Sequence, residues 1–366
     1  MSEARTTSLA ALSRTNGALR RLVNAIGVDN ISLVLALGVI VVVVVSQQPL
    51  FLSWQNLMNS LAQSIVIVGL MAIGETVVII GGGLDISVGS VASVASVISA
   101  IAVTSGLFGI LPAGSMQIAL VAGIVTGLIL GLGNGLIVTA LRVNPIIATL
   151  GTLAAYAGLA FLVAPDGKPV GVLTHPDFTW LGTGRFLEGL PIPALGGTPW
   201  TGIPVLVVIL AIVAIAGHVI MRYTTFGRAI VAIGGNATAA RLAGIDVSRV
   251  RITMYALSGA AAGLAGVLLT ARTTSGNPIN GTGFELQAIT AVFLGGASTT
   301  GGKGTITGTV LAFIVVAVLN NGMNLLGLNT FYQRVALGVL LIAAVAIAQW
   351  RQSRAERARA KIAASG

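Results

Sequence analysis

Long apolar runs, broken by short polar or glycine-rich interruptions, make up most of this 366-residue chain. A bilayer core about 30 Å thick is crossed by about 20 mostly apolar residues in helical form. Reading between the charged positions predicts about ten such helices. They lie near 31–50, 60–80, 87–108, 117–140, 144–165, 202–221, 253–271, 286–300, 305–328 and 332–350. The eighth is short, and only a glycine-rich break separates the second from the third. The runs do not alternate with period two, which argues against barrel strands. The pattern therefore predicts an all-α, polytopic membrane protein. Its transmembrane domain covers 31–350, between a basic N-terminal tail (1–30) and a C-terminal tail (351–366).

Composition supports that pattern. Charged residues are 8 % of the chain and hydrophobic ones 55 %, and mean hydropathy is +0.97. A soluble domain carries roughly 25 % charged residues, so a soluble enzyme, a disordered chain and a fibrous repeat are excluded. There is no cysteine, hence no disulfide framework and no thiolate site. The net charge of +10 is read as basic cytoplasmic loops and not as nucleic-acid binding. With both termini inside, the inner segments hold 16 Lys and Arg, and the outer ones hold only Lys168, Arg185, Arg272 and Arg334. The first apolar run has no small-x-small cleavage site and is read as a retained span. Two hydrophilic segments remain, an outer loop at 166–201 and an inner one at 222–252. Neither is long enough to fold alone, so soluble chemistry must come from partner chains.

Three stretches could carry function. In GETVVIIGGGLDISVGS, residues 74–90, Gly81, Gly82 and Gly83 interrupt a helix, and freed backbone groups of this kind must sit within protein or against a wet cavity. Asp85 and Ser87 can cap the helix that follows, Gly89 permits close approach, and Glu75 is an acid inside a span. The second stretch starts at Thr224. Asn236 there is a suitable N-cap, Ala237 to Leu242 favour helix, and Gly244 is placed as the residue after the cap. The third, QAITAVFLGGASTTGGKGTITG from Gln287, imitates a phosphate loop between Ala297 and Gly304. It fails as one, because Ala297 replaces the first glycine and Gly304 the magnesium-binding Ser or Thr. Asn134, Asn320, Asn321 and Asn324 could contact a neutral polar substrate or bond across helices.

A faint repeat pairs the segment from Leu132 with that from Leu319, five spans apart, as an inverted repeat would be. A second match, from Gly82 and Gly301, lies six spans apart and disagrees with the first by one span.

GGGLDISVGS at 81–90, AIGGNATAARLAGIDVSRVR at 232–251 and ITAVFLGGASTTGGKGTITGTVL at 289–311 together resemble the permease subunits of bacterial ABC importers for monosaccharides, the ribose, xylose, arabinose and galactose type. The resemblance covers about 31–350. It implies a homodimer of permeases in the bacterial inner membrane. This dimer would sit on a pair of ATPase subunits and receive sugar from a periplasmic binding protein. The chain itself would need no cofactor, since ATP and magnesium would belong to the partner ATPase. The segment with Gly227, Gly235, Asn236, Ala240, Arg241 and Gly244 matches the family's cytoplasmic coupling loop. Glu75, Gly82, Gly83, Asp85, Ser87, Asn134 and Asn321 are our candidates for the translocation path. The competing reading is an ion-coupled secondary transporter using Glu75, Asp85 or Glu285.

Overall fold

The computed structural model describes residues 31–106, 112–192 and 199–364. The N-terminal tail, the end of the predicted third span and part of the 166–201 loop lie outside the described residues. So do the side chains of the basic C-terminal segment.

All ten predicted helices are present. They are α1 (Ile31–Gln47), α2 (Ala62–Ile80), α3 (Val88–Thr104), α4 (Met116–Thr139), α5 (Pro145–Val163), α7 (Val205–Tyr223), α9 (Val247–Thr273), α10 (Phe284–Leu294), α11 (Ile306–Leu325) and α12 (Thr330–Ala364). Two further helices lie between spans: α6 (Pro176–Thr183) in the outer loop and α8 (Thr225–Leu242) in the inner one. Among the described residues six helices are long and apolar enough to cross a membrane, counting α2 from its preceding π-helical turn at Asn56; α1, α3, α10 and the apolar part of α12 are shorter. Side-chain caps mark the starts that the sequence allows. Ser115 accepts from Ile118 N, Asn144 from Ile146 N and Thr305 from Gly308 N, each satisfying a backbone donor that the first turn leaves open.

Helix α2 lies at the centre, with every residue from Val66 to Ile80 buried. Helix α3 is enclosed almost as fully. In contrast, α5 and α7 leave most of their apolar side chains exposed or half-buried, as expected of surfaces that meet lipid or another subunit. The tightest seam joins α4 to α9. Gly123, Gly127, Gly131 and Gly135 recur every fourth residue and meet Gly259, Gly263 and the backbone of Ile252. A methyl group on Gly127 would lie 2.8 Å from Gly263 Cα, so the backbones touch where no side chain fits.

Several expectations need correcting. The eighth span, predicted over 286–300, is an 11-residue helix ending at Leu294, about 16 Å long at 1.5 Å per residue. It cannot cross a bilayer alone. The chain before it instead runs along α3: Gly281 N donates to Ser93 Oγ (2.9 Å) and Asn280 Nδ2 to Ser96 Oγ (2.9 Å). Helix α12 does not stop near 350 but continues to Ala364, because 351–364 holds no Gly or Pro to end it. Two-residue antiparallel ribbons, β1 (Val170–Gly171) with β4 (Ser275–Gly276) and β2 (Arg185–Phe186) with β3 (Ile203–Pro204), lie at the end carrying the 166–201 loop.

The longer of the two internal matches has a structural counterpart. Both copies read as the end of a helix, a short connection and the start of the next, with Asn134 and Asn321 buried near the two helix ends. The shorter match behaves differently. Its two glycine segments meet in space, Gly301 lying against Gly82.

Candidate functional site

The 222–252 segment is more structured than one short capped helix. Thr224 caps α8 by accepting from Gly227 N (3.1 Å). Gly227 lies so close to the carbonyls of Ile220 and Met221 that a side chain there would collide with them. The helix breaks at Asn236, whose backbone leaves helical geometry (φ −162°, ψ 100°). Asn236 Oδ1 then accepts from Thr238 N and Ala239 N, both at 3.0 Å, starting the short helix that the sequence predicts. That helix ends in a paired closure: Gly244 N donates to Arg241 O and Ile245 N to Ala240 O, each at 3.0 Å. Gly244 has φ +85°, the left-handed geometry such a closure needs and glycine adopts freely. Arg241 and Leu242 project outward, Leu242 being 86 % exposed. Below them, Ile233, Ala240 and Val247 form a small apolar base. Asp246 caps the next helix through Arg249 N and pairs with Arg249 Nε at 2.9 Å.

The middle of α8 is fastened to the spans by backbone contacts, beside the buried Ile230 side chain that packs with Val77, Val78 and Ile80 of α2. Ile80 O, at the end of α2, accepts from Gly302 N in the turn before α11 (2.8 Å). Gly234 packs directly onto both atoms, and a methyl group there would strike them. Gly301 in turn lies against Gly82: its missing Cβ would lie 2.8 Å from Gly82 Cα and N. Three glycine segments that are distant in sequence, 81–83, 234–235 and 301–302, thus form one junction between α8, α2 and α11.

Just above this junction the break carries a buried polar knot. Glu75 Oε1 accepts from Asp85 N (3.0 Å). Asp85 Oδ1 accepts from Ser87 N (3.0 Å), Ser87 Oγ (2.6 Å) and Asn134 Nδ2 (3.3 Å), and Asn134 Nδ2 also donates to Ser87 Oγ (2.7 Å). Tyr156 Oη reaches Asn134 Oδ1 at 3.4 Å. Glu75, Asp85, Ser87 and Asn134 are all completely buried. The predicted cap is half right: Asp85 takes the Ser87 amide, whereas the Ser87 hydroxyl caps nothing and turns to Asp85. Burial of this kind is tolerable because the polar groups bond one another away from lipid. Glu75 Oε2, Asp85 Oδ2, Tyr255 Oη and Ser258 Oγ have no protein partner among the described residues. Gly89 behaves as expected, with the carboxylate of Glu285 and the carbonyl of Gly281 in the space a side chain would take.

The structure therefore brings Glu75, Asp85, Ser87 and Asn134 together, sets Gly82 and Gly83 beside them, and leaves Asn321 elsewhere. Asn321 and Asn56 exchange amide hydrogen bonds at 2.9 and 3.1 Å, tying α11 to the turn before α2. Our sequence reading missed two features. The α4–α9 glycine seam was visible as a four-residue spacing from Gly123 to Gly135. The contact of Gly234 had no such signal, since its partners are backbone atoms 154 and 68 positions away at Ile80 and Gly302.

Residues 56–345 match the family described as "Branched-chain amino acid transport system / permease component". Among curated proteins, the chain is 40 % identical over 312 residues to the ribose import permease protein of Bacillus subtilis (strain 168), covering 85 % of this chain and 90 % of that one. It is 38 % identical over 321 residues to the ribose import permease protein of Escherichia coli (strain K12), covering 87 % and 93 %. Against the L-arabinose transport system permease protein of the same organism, identity is 34 % over 304 residues, covering 83 % and 85 %. No solved structure matches the chain. With its glycine-rich break and its capped inner helix inside the matched region, the chain belongs to this family of transport-system permease components.

Proposed function

We propose that this chain is the membrane-spanning permease of an ATP-driven importer that carries a monosaccharide, pentose or hexose, into the cytoplasm by alternating access. The sugar class follows the relatives named for ribose and L-arabinose, which align over more than four fifths of both chains. Two copies would form the path across the bacterial inner membrane. A periplasmic binding protein would deliver the sugar, and ATP and magnesium would act in separate ATPase subunits beneath.

The observation that carries this reading is the mounting of α8. A short helix capped at both ends exposes Arg241 and Leu242, while Gly234 at its base rests on the Ile80–Gly302 hydrogen bond. A push on the exposed tip passes to α2 and α11 through backbone contacts, which give little. The knot of Glu75, Asp85, Ser87 and Asn134 then makes α2, α3 and α4 tilt together. In this scheme those residues, with Gly82 and Gly83, form the hinge beside the path, and Asn321 ties α11 to the outer turn.

The absence of cysteine makes the test direct. A single Leu242→Cys should cross-link to a cysteine in the ATPase groove of the assembled importer, and ATP should change the yield. A cysteine at Leu328, at the other end of α11, should not cross-link. Equal yields at both positions would sink the coupling assignment.

A further inference from the structure

At the end of the bundle opposite α8, a cavity of about 520 Å³ opens between the start of α4 and α6. It is lined by Gly114, Met116, Gln117, Pro176, Asp177 and Trp180. That size is within the range of small-molecule sites. Trp180 forms one wall and is 42 % exposed. Its ring is braced by an edge-to-face contact with Phe186 (5.6 Å, 89°), and Gly184 fits against its indole edge. Asp177, one residue into α6 after Pro176, is exposed and has neither a hydrogen bond nor an ion pair among the described residues. Ser115 Oγ donates to Gln117 Oε1 (3.1 Å), which orients the amide, and its Nε2 has no hydrogen bond among the described residues.

These groups restrict the ligand. An aromatic face takes an apolar or C–H surface, a carboxylate accepts from hydroxyl or ammonium groups, and an amide nitrogen donates. The carboxylate repels phosphate and carboxylate ligands. An ammonium group would use Trp180 and Asp177 but could accept nothing from Gln117. A neutral, polyhydroxylated ring uses all three: its C–H face on Trp180, its hydroxyls donating to Asp177, its oxygens accepting from Gln117.

We propose that this cavity is a monosaccharide subsite on the outer face of the permease, with Trp180 as platform, Asp177 as acceptor and Gln117 as donor. The proposal rests on the sugar-importer reading above and adds to it a weak sugar affinity of the permease itself, at the end where a binding protein would release its cargo.

The test uses the full chain in phosphatidylcholine nanodiscs, a lipid without a polyol headgroup, with no binding protein present. D-Ribose and D-galactose are followed by saturation-transfer NMR. The expected result is transfer to ring C–H protons, with affinity about tenfold weaker in Trp180→Ala and in Asp177→Asn. Trp180→Phe, which keeps an aromatic face, should retain most of the binding. Gln117→Ala, a surface change, gives a second reading if Trp180→Ala folds poorly, and should also weaken binding. No transfer in the wild type, or transfer unchanged across Trp180→Ala, Asp177→Asn and Gln117→Ala, overturns the subsite. ATP-driven uptake by the assembled importer is measured alongside. Normal sugar uptake without transfer removes the subsite and leaves the importer standing, whereas uptake that ignores ATP removes the importer reading itself.

Discussion

Replacing Gly234 by alanine puts one methyl group into the junction between α8, α2 and α11. That methyl would strike Ile80 O and Gly302 N, the two atoms of a 2.8 Å hydrogen bond. Losing such a bond is worth about 1 kcal/mol, and overpacking a close-fitting site adds about 1–3 kcal/mol. The docked position of α8 is therefore weakened by about 2–4 kcal/mol, a shift of roughly 30- to 1000-fold in the docked population. Gly235, the next residue, is the control, because a methyl group there meets nothing within 4 Å. The assay is sugar uptake and ATP hydrolysis, measured together on the complete importer in proteoliposomes, after size-exclusion chromatography shows that the assembly is intact. Gly234→Ala should hydrolyse ATP with little uptake, and Gly235→Ala should behave as wild type. Wild-type coupling in an intact Gly234→Ala assembly, or an equal loss in Gly235→Ala, would refute transmission through this junction.

Other substitutions test the remaining parts. Asn134→Ala removes the amide bonds to Ser87 and Asp85, worth about 1–3 kcal/mol where a buried acceptor loses its donor, and should lower the melting temperature measurably in detergent. Gly127→Val forces a branched side chain against Gly259 and Gly263; at about 3 kcal/mol or more, it should give little monodisperse protein, and a normal yield would contradict the α4–α9 seam. Asn236→Ala should weaken the short helix of α8 by about 1 kcal/mol through loss of its cap, and Gly244→Ala by about 1–2 kcal/mol through left-handed strain. Uptake should fall in each and further in the pair. Glu75→Gln keeps an acceptor for Asp85 N and should retain ATP-driven uptake, whereas an ion-coupled transporter would lose transport altogether.

The helices were legible because apolar length is a strong one-dimensional signal, and the caps at Asn236 and Gly244 because their chemistry is local. The eighth span was misjudged for a three-dimensional reason. Residues 275–283 are held by Ser93 and Ser96 of α3 as well as by turn hydrogen bonds of their own, and the pairing with α3 lets an 11-residue helix begin inside the bundle. Asp85, Ser87 and Glu75 stood out as polar groups at a break. Their closure by Asn134, 49 positions from Asp85, required the fold. The same holds for the match between Gly82 and Gly301, which reads as a repeat in one dimension and as a contact in three.

The central claim is that this chain moves a monosaccharide using ATP hydrolysed by a partner. Its most direct test is to isolate the tagged chain with its partners from native membrane in mild detergent and reconstitute the assembly with its binding protein. Labelled ribose, arabinose, galactose and leucine are then followed into vesicles with and without internal ATP. The account predicts ATP-dependent entry of at least one of the sugars, no entry of leucine, and indifference to sodium and proton gradients. Entry driven by an ion gradient without ATP, or entry of leucine in place of sugar, would contradict it.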